Sequence, residues 1–166
     1  MKDKLSFAAK LEDIYSPYFD ITKNININGI TPFFEAELHV KNEKYFLIPS
    51  ANLWTAQTHE YVYVLAQNFG SLDEFKNARD TLLYYAMDKI NPGKEHMYTY
   101  ITIVLISDFI NSEIEKEIKK FKKYKSFLFS FHGWMHFRMI ALDTKRNKVI
   151  YNPMGKDLKD TVSSLL

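Results

Sequence analysis

The sequence contains no cysteine, which excludes disulfide bonds, thiolate-ligated zinc sites and cysteine nucleophiles. Glycine and proline are also scarce, with five residues each among 166, and they form no linker. The net charge of +2 is too small to indicate a polyanionic partner on its own. The longest aliphatic run, 103–106, is far shorter than the ~20 residues of a membrane helix. The first residues lack the apolar core of a secretion signal, so we expect a cytoplasmic protein with no membrane partner.

Aromatic residues, by contrast, are abundant, because 13 Phe, 11 Tyr and 2 Trp make up 16% of the chain. The remaining composition is typical of a globular protein, with 46% hydrophobic and 25% charged residues. A chain of this length and composition is most simply one domain spanning residues 1–166.

Apolar residues at helical spacing predict three helices and a short final one. In the first helix, Leu5, Ala8, Leu11, Ile14 and Tyr15 are expected near one helical face. Ser71 and Ser112 each precede a glutamate by three residues, which is the capping-box pattern of a helix start. The predicted helices lie at residues 2–15, 71–90, from 112 onward, and after 157.

Alternating and continuous apolar runs predict the strands. Asn42 and Glu43 are expected to form a tight turn between the first two strands, and residues 24–29 a loop. The run 98–107 is apolar on both faces, which is typical of a central strand. The predicted strands lie at residues 33–41, 44–48, 60–66, 98–107, 126–131, 135–143 and 148–152. The sequence therefore predicts an α+β domain whose mixed sheet of about five to seven strands combines an antiparallel meander with one parallel strand–helix–strand crossover, packed with three or four helices.

Several short motifs resemble an uncharacterised family of prokaryotic domains found in bacteria and archaea. They are Leu53-Trp54, His59-Glu60-Tyr61-Val62, the stretch from Glu95 to Thr102, His132-Gly133-Trp134-Met135 continuing through Arg138 to Asp143, Val149-Ile150-Tyr151-Asn152, and Gly155-Lys156-Asp157-Leu158. The resemblance spans residues 53–158. It implies a stand-alone domain of unknown function and assigns no activity.

The order of elements also resembles a restriction-endonuclease-like core. Enzymes of that fold hold divalent metal ions with carboxylates on neighbouring strands. Glu35, Glu37 and Glu60 are the candidate catalytic carboxylates here, but the acidic-x-lysine pair is incomplete. Glu35, Glu37 and His39 would also share one face of an ordinary solvent-facing strand, so a structural role for them stays open.

A second set of candidates is rich in aromatic and histidine side chains. A histidine can take part in acid–base work, and an arginine can bind an anion. Core packing of the aromatic rings, and an ion pair between Arg138 and an acid such as Glu60, are the structural alternatives. The candidate ligand-binding residues are His96, Tyr98, Tyr100, His132, Trp134 and Arg138.

The only dense block of charge lies in the third helix and just after it. Lysines can neutralise phosphates without recognising a base sequence, but a solvated helix face is the alternative. The candidate nucleic-acid-binding residues are Lys119, Lys120, Lys122 and Lys123. No phosphate-binding loop or metalloprotease motif is present, and the sequence assigns no metal ligand or cofactor.

The sequence thus favours a binding or accessory domain without an intact catalytic motif, which could form a homodimer through its aromatic surface. Two alternatives remain open. One is a metal-dependent, nuclease-like enzyme, which requires its three carboxylates to converge. The other is a small-ligand or nucleic-acid-binding protein, and its small-ligand version expects His96, Trp134 and Arg138 to line one concavity.

Overall fold

A computed structural model describes residues 3–44 and 54–166, and in this part the chain forms seven strands and four α-helices. In chain order they are α1 (Lys4–Tyr15), β1 (Asp20–Thr22), β2 (Phe34–Lys44), β3 (Trp54–Ala66), α2 (Leu72–Lys89), β4 (His96–Ser107), α3 (Ser112–Lys120), β5 (Tyr124–Ser126), β6 (Trp134–Asp143), β7 (Lys148–Tyr151) and α4 (Lys159–Ser163), with a 3-10 helix at Pro153–Leu158.

The strands form one mixed sheet in the order β1-β2-β3-β4-β6-β5, and β7 pairs with the other end of β6. The pairs β3–β4 and β4–β6 are parallel, and the remaining pairs are antiparallel. The α+β class, the strand number and the central position of β4 are as predicted. Parallel pairing arises twice, through α2 and through α3, where the sequence indicated one crossover.

Helices cover both faces of the sheet because successive strand side chains point in opposite directions. Odd-numbered residues such as Tyr63 and Ile103 pack with α2 and α3, on what we call the α2/α3 face. Even-numbered residues such as Val64 and Val104 pack with α1 and α4, on the α1/α4 face. On the α1/α4 face this packing involves residues toward the carboxyl ends of β4 and β6. The amino-end halves of β4 and β6 lie outside this apolar packing.

The predicted turn at Asn42 and Glu43 is wrong. Strand β2 continues through both residues to Lys44, and Asn42 pairs with Ala56 of β3. The predicted third strand, 60–66, is the second half of the longer β3. Residues 45–48 of the predicted second strand lie outside the described residues. The meander instead consists of β1, β2 and β3, and β1 was not predicted.

The predicted strand at 126–131 is also wrong, since pairing ends at Ser126. Leu128, Phe129 and Ser130 have φ values of 47°, 52° and 70°, which belong to a left-handed turn and not to a strand. The parallel partner of β4 is therefore β6. This shift changes which side chains stand beside those of β4.

The helix predictions hold at Ser71, whose hydroxyl accepts a hydrogen bond from the backbone N–H of Glu74. The third helix is capped by Asn111, one residue before the predicted cap. In α1, Ala8, Leu11 and Tyr15 of the predicted face are buried, but Leu5 and Ile14 are 50% and 40% exposed, and Phe7 is buried as well. None of the helices in the described ranges combines the length and apolar content needed to cross a membrane.

Candidate functional site

Five aromatic side chains share the half of the α1/α4 face that lies at the amino ends of β4 and β6. The register places Tyr98 beside Trp134, Tyr100 beside His136, and His136 beside Tyr124 of β5. All five numbers are even, so the pleat turns the five rings to the same side of the sheet. We call Tyr98, Tyr100, Trp134, His136 and Tyr124 the ring row.

The rings of the row contact one another across the strands. The centroids of Tyr98 and Trp134 are 6.2 Å apart and those of Tyr100 and His136 are 6.3 Å apart, both as roughly parallel pairs. Tyr124 lies 4.8 Å from His136. Tyr124 is 54% exposed, and the other four side chains are partly exposed. None of the four belongs to either buried apolar cluster of the described residues. The row is therefore an ordered aromatic surface that solvent reaches.

Arg138 marks the boundary between the ring row and the covered half of this face. Its guanidinium forms an ion pair with Glu60, and its Nε donates to the hydroxyl of Thr102 at 3.1 Å. That hydroxyl in turn donates to Glu60 Oε1 at 3.3 Å. The guanidinium carbon also lies 4.2 Å from the centre of the Tyr100 ring, within range of a cation–π interaction. The ion pair between Arg138 and Glu60, which the sequence analysis gave as the structural alternative for Arg138, is therefore present.

A pocket of about 260 Å³ opens beside this ion pair. Glu60 and Arg138 supply its charged lining, and its walls come from the end of α1, the following turn and the chain near α4. The remaining lining residues are Ile14, Tyr15, Tyr18, Phe19, Leu158 and Thr161. Burial, assisted by the negative charge of Glu60, raises the pKa of the Tyr15 hydroxyl far above its usual range. Tyr15 therefore stays neutral at this wall.

The candidate lysines divide into two groups. Lys119 and Lys120 form ion pairs with glutamates of their own helix, at 2.6 and 3.2 Å. Lys122 and Lys123 have no carboxylate partner in the described part of the chain, and neither does Lys125. Lys123 instead lies over the Tyr84 ring and Lys125 over the Phe127 ring. Lys125 is the register partner of Met135, and both rings belong to the α2/α3 side, so Lys123 and Lys125 lie on the opposite side of β5 from Tyr124. Lys122 lies two residues before the start of β5.

Glu35 and Glu37 lie on the α2/α3 face, where Lys89 of α2 forms hydrogen bonds to both carboxylates. Burial alone would raise the pKa of Glu37, but the hydrogen bonds from Lys89 and His39 hold it below its usual range. Glu60 lies on the opposite face of the sheet. The structure therefore brings Glu35 and Glu37 together but places Glu60 on the other face of the sheet. The nuclease-like site required all three carboxylates to converge, and they do not.

Three histidines follow one another across β2, β3 and β4 on the α2/α3 face. His39 Nδ1 lies 2.7 Å from His59 Nδ1, and the His59 and His96 rings are nearly parallel at 5.9 Å. Burial, with the neighbouring His39 and His96, lowers the pKa of His59. His96 Nδ1 bonds to the backbone carbonyl of His132, and its Nε2 lies 2.8 Å from the Thr99 hydroxyl.

His96 thus faces the opposite side of the sheet from Trp134 and Arg138, and the expected single concavity of those three residues does not form. His132 touches the cluster through its backbone carbonyl. Gly133 has a φ of 77°, and a Cβ placed there would lie 2.2 Å from the Met97 carbonyl oxygen. The close approach of the backbone at position 133 to β4 therefore leaves no room for a side chain.

The carboxyl ends of the parallel strands, where ligands commonly bind in α/β sheets, are occupied by structural contacts. Asp143 is fully buried and accepts hydrogen bonds from the Ile110 and Arg146 backbones and from the Arg146 side chain. Ser107 donates to Asn68 and to the Phe109 carbonyl. The exposed aromatic surface at the amino ends is therefore the stronger candidate for binding.

Sequence reasoning missed three contributors to these clusters. Tyr124 fell outside every predicted strand, although its position in a lysine-rich, aromatic segment was a signal. His59 follows the side-chain alternation of β3. The antiparallel pairing of β2 with β3 would have placed it opposite His39, had the full lengths of these strands been recognised. Lys89 had no local signal, because a helix lysine reaches these carboxylates only through the tertiary packing of α2.

Comparison with known proteins identifies one family. Residues 3–164 match the family model described as "Domain of unknown function (DUF8052)". No curated protein and no solved structure matches the chain.

Proposed function

This chain belongs to the DUF8052 family, a domain of unknown function, and we propose that it is a binding domain whose ring row takes the bases of single-stranded nucleic acid. The observation that carries the proposal is the row itself. Tyr98, Tyr100, Trp134, His136 and Tyr124 form a continuous aromatic surface on three adjacent strands, and Lys122 lies two residues before β5.

Stacking on aromatic side chains suits unpaired bases because every base has a flat aromatic face. In a duplex these faces are already stacked on one another, so an aromatic surface on a sheet favours single strands. Neighbouring strands lie about 4.8 Å apart, and this spacing sets the separation of the ring columns on β4, β6 and β5. The row therefore offers several adjoining stacking positions.

In this proposal Lys122 supplies the second component of such a surface. Single-strand binders combine aromatic platforms with positive charge that follows the phosphate backbone. Lys122 and Lys125 are exposed, and Lys123 lies close to the Tyr84 ring. None of the three is neutralised by a carboxylate within the described ranges. Lys123 and Lys125 contact rings on the α2/α3 side of β5, so Lys122 is the lysine that we assign to the ring row.

Arg138 has a different role in this proposal. Its charge is compensated by Glu60, so it orients the Tyr100 ring and does not act as the main phosphate contact. The low net charge of the chain agrees with binding in which stacking contributes more than charge.

The test uses the fluorescence of Trp134. Trp54→Phe leaves Trp134 as the only tryptophan of the chain. Titration with a single-stranded oligonucleotide of about 12 nucleotides is expected to quench that fluorescence, while a duplex of the same length has a much weaker effect. In the same background, Tyr98→Leu is expected to weaken binding about 5- to 150-fold, which corresponds to about 1–3 kcal/mol per stacked base.

Tyr84→Leu is the matched control, because Tyr84 is also exposed but belongs to α2. It is expected to leave the affinity unchanged. Absence of quenching at low salt, equal binding of the duplex, or equal losses in the Tyr98 and Tyr84 variants would reject the proposal.

A second candidate function rests on the pocket beside Glu60 and Arg138. Its walls are largely apolar and its charged lining is one carboxylate and one guanidinium, a combination suited to a small ring-bearing ligand. A screen of free nucleosides and related heterocycles by thermal shift tests it. A hit that raises Tm in the parent chain and not in Leu158→Arg, which places a long charged side chain at the pocket wall, supports a small-ligand function.

A further inference from the structure

The α2/α3 face carries a pair of histidines that the proposed function does not use. His39 and His59 are direct cross-strand partners in the antiparallel β2–β3 pair. Directly opposite residues have Cβ atoms about 4.5–5.5 Å apart, which allows two imidazoles to meet. Their Nδ1 atoms lie 2.7 Å apart, so the two nitrogens point at the same place.

The far side of the His39 ring is fixed by a carboxylate. His39 Nε2 lies 3.2 Å from Glu37 Oε2, and the carboxylate acts as the acceptor. The proton of His39 is thereby placed on Nε2, which leaves Nδ1 with a lone pair directed at His59. A carboxylate that orients the outer nitrogen of a histidine is a common arrangement around metal ligands.

We propose that His39 and His59 form a two-imidazole site for a transition-metal ion such as Zn²⁺, Ni²⁺ or Cu²⁺, with Glu37 as the carboxylate that orients His39. Imidazole nitrogens suit these ions. Nitrogen ligands of tetrahedral zinc at 2.0–2.1 Å are about 3.3 Å apart, so the two rings need to separate by only about 0.6 Å. On metal binding His59 carries its proton on Nε2, so that both Nδ1 atoms become ligands.

The neighbouring groups limit the site to these two ligands. His96 uses both ring nitrogens in contacts to His132 and Thr99 and supports His59 by stacking. Glu35 and Glu37 are held by Lys89. No set of three or more His, Asp or Glu side chains within residues 3–44 and 54–166 is arranged to hold a metal ion. Water therefore completes the coordination, which predicts modest affinity and an accessible ion.

The experiment uses the full chain without a histidine tag. Isothermal titration with Zn²⁺ and Ni²⁺ measures affinity, and electron paramagnetic resonance of the Cu²⁺ complex reports the number of coordinated nitrogens. We expect one site per chain with two nitrogen ligands. His39→Gln and His59→Gln are each expected to weaken binding at least tenfold, and Glu37→Gln about 10- to 100-fold. His136→Gln, on the opposite face, is the matched control.

Circular dichroism and Tm without metal show whether each variant is folded. The proposal is overturned if folded His39 and His59 variants bind as tightly as the parent, or if His136→Gln causes an equal loss. A copper spectrum with a single nitrogen ligand would also overturn it. These outcomes are independent of nucleic-acid binding, because His39 and His59 lie on the opposite face from the ring row.

Discussion

The guanidinium carbon of Arg138 lies 4.2 Å from the centre of the Tyr100 ring, while the guanidinium itself is paired with Glu60. This relationship joins two adjacent strands to a third, because Arg138, Tyr100 and Glu60 belong to β6, β4 and β3. The charge pair lies where the covered half of the α1/α4 face meets the ring row. Its contribution to stability and its effect on the ring row can therefore be measured together.

Removal of either partner of this pair is expected to destabilise the fold. The Arg138 and Glu60 side chains are only 9% and 18% exposed, so Glu60→Ala leaves a largely buried positive charge without a partner. Such a loss costs about 3 kcal/mol, and the double variant Glu60→Ala/Arg138→Met is expected to recover part of it. Urea unfolding measures the free energies. Glu12→Ala, which removes the more exposed pair with Lys23, is the control and costs less than about 1 kcal/mol. Equal losses for Glu60→Ala and Glu12→Ala would show that the buried pair has no special role.

The sequence predicted those elements whose signals are local. The hydroxyl of Ser71, the proline after Ser16 and the continuous apolar run of β4 act within a few residues, and the structure has the corresponding helix start, helix end and central strand. The turn predicted at Asn42 and Glu43 was wrong because a polar pair in an extended strand has the same composition as a tight turn. Their pairing with β3 is a long-range property that no local pattern encodes.

The ring row could not be assembled from the sequence, because it depends on which strand lies beside β4. The apolar residues 126–131 have the composition of a strand, yet Leu128 and Phe129 adopt left-handed backbone conformations that such residues rarely take. With 126–131 assigned beside β4, Trp134 and His136 had no place next to Tyr98 and Tyr100. The sequence indicated most of these side chains one by one. Only the strand register shows which of them lie on the α1/α4 face and which lie on the α2/α3 face.

Gly133→Ala is expected to destabilise the protein strongly. Its φ of 77° disfavours a side chain, and the added Cβ would lie 2.2 Å from the Met97 carbonyl oxygen. The left-handed conformation costs about 1–2 kcal/mol and the steric overlap about 1–3 kcal/mol more. Gly93→Ala is the control, because a Cβ there meets no atom within 4 Å, and it changes the free energy of unfolding by less than about 1 kcal/mol. A Gly133 variant as stable as the Gly93 variant would contradict the close approach of Gly133 to β4.

Glu115 is expected to make the stability depend on acid pH. Hydrogen bonds from Lys119 and Lys148 lower the pKa of Glu115 from 4.5 to about 2. The unfolded chain therefore takes up the proton first as the pH falls. The stability contributed by Glu115 is fully present above pH 4.5 and is lost between pH 4.5 and about 2. Urea unfolding of Glu115→Gln is expected to show lower stability at pH 7, a shallower decline in this window, and a curve that meets the parent near pH 2.

Glu113→Gln is the control for this pH effect, because Glu113 lies exposed in the same first helical turn and has no ion pair in the described part of the chain. If the two variants have the same pH dependence as the parent, the contacts of Glu115 with Lys119 and Lys148 do not contribute to stability in solution.

Lys122, which has no carboxylate partner in the described part of the chain, is expected to contribute to the salt dependence of nucleic-acid binding. Each lysine that neutralises a phosphate of a single strand adds about 0.7 to the slope of log K against log salt concentration. Lys122→Gln is therefore expected to reduce the slope by about 0.7 and to weaken binding of every oligonucleotide sequence alike. Lys125→Gln is expected to reduce the slope less, because Lys125 lies on the α2/α3 side of β5. Lys120→Gln is the matched control, since Lys120 is already paired with Glu117, and its slope stays closer to that of the parent. Fluorescence titrations of Trp134 from about 50 to 200 mM salt measure the slopes. An equal reduction in all three variants would assign the phosphate contacts to the whole lysine block, and no reduction in any of them would remove the lysines from the interface.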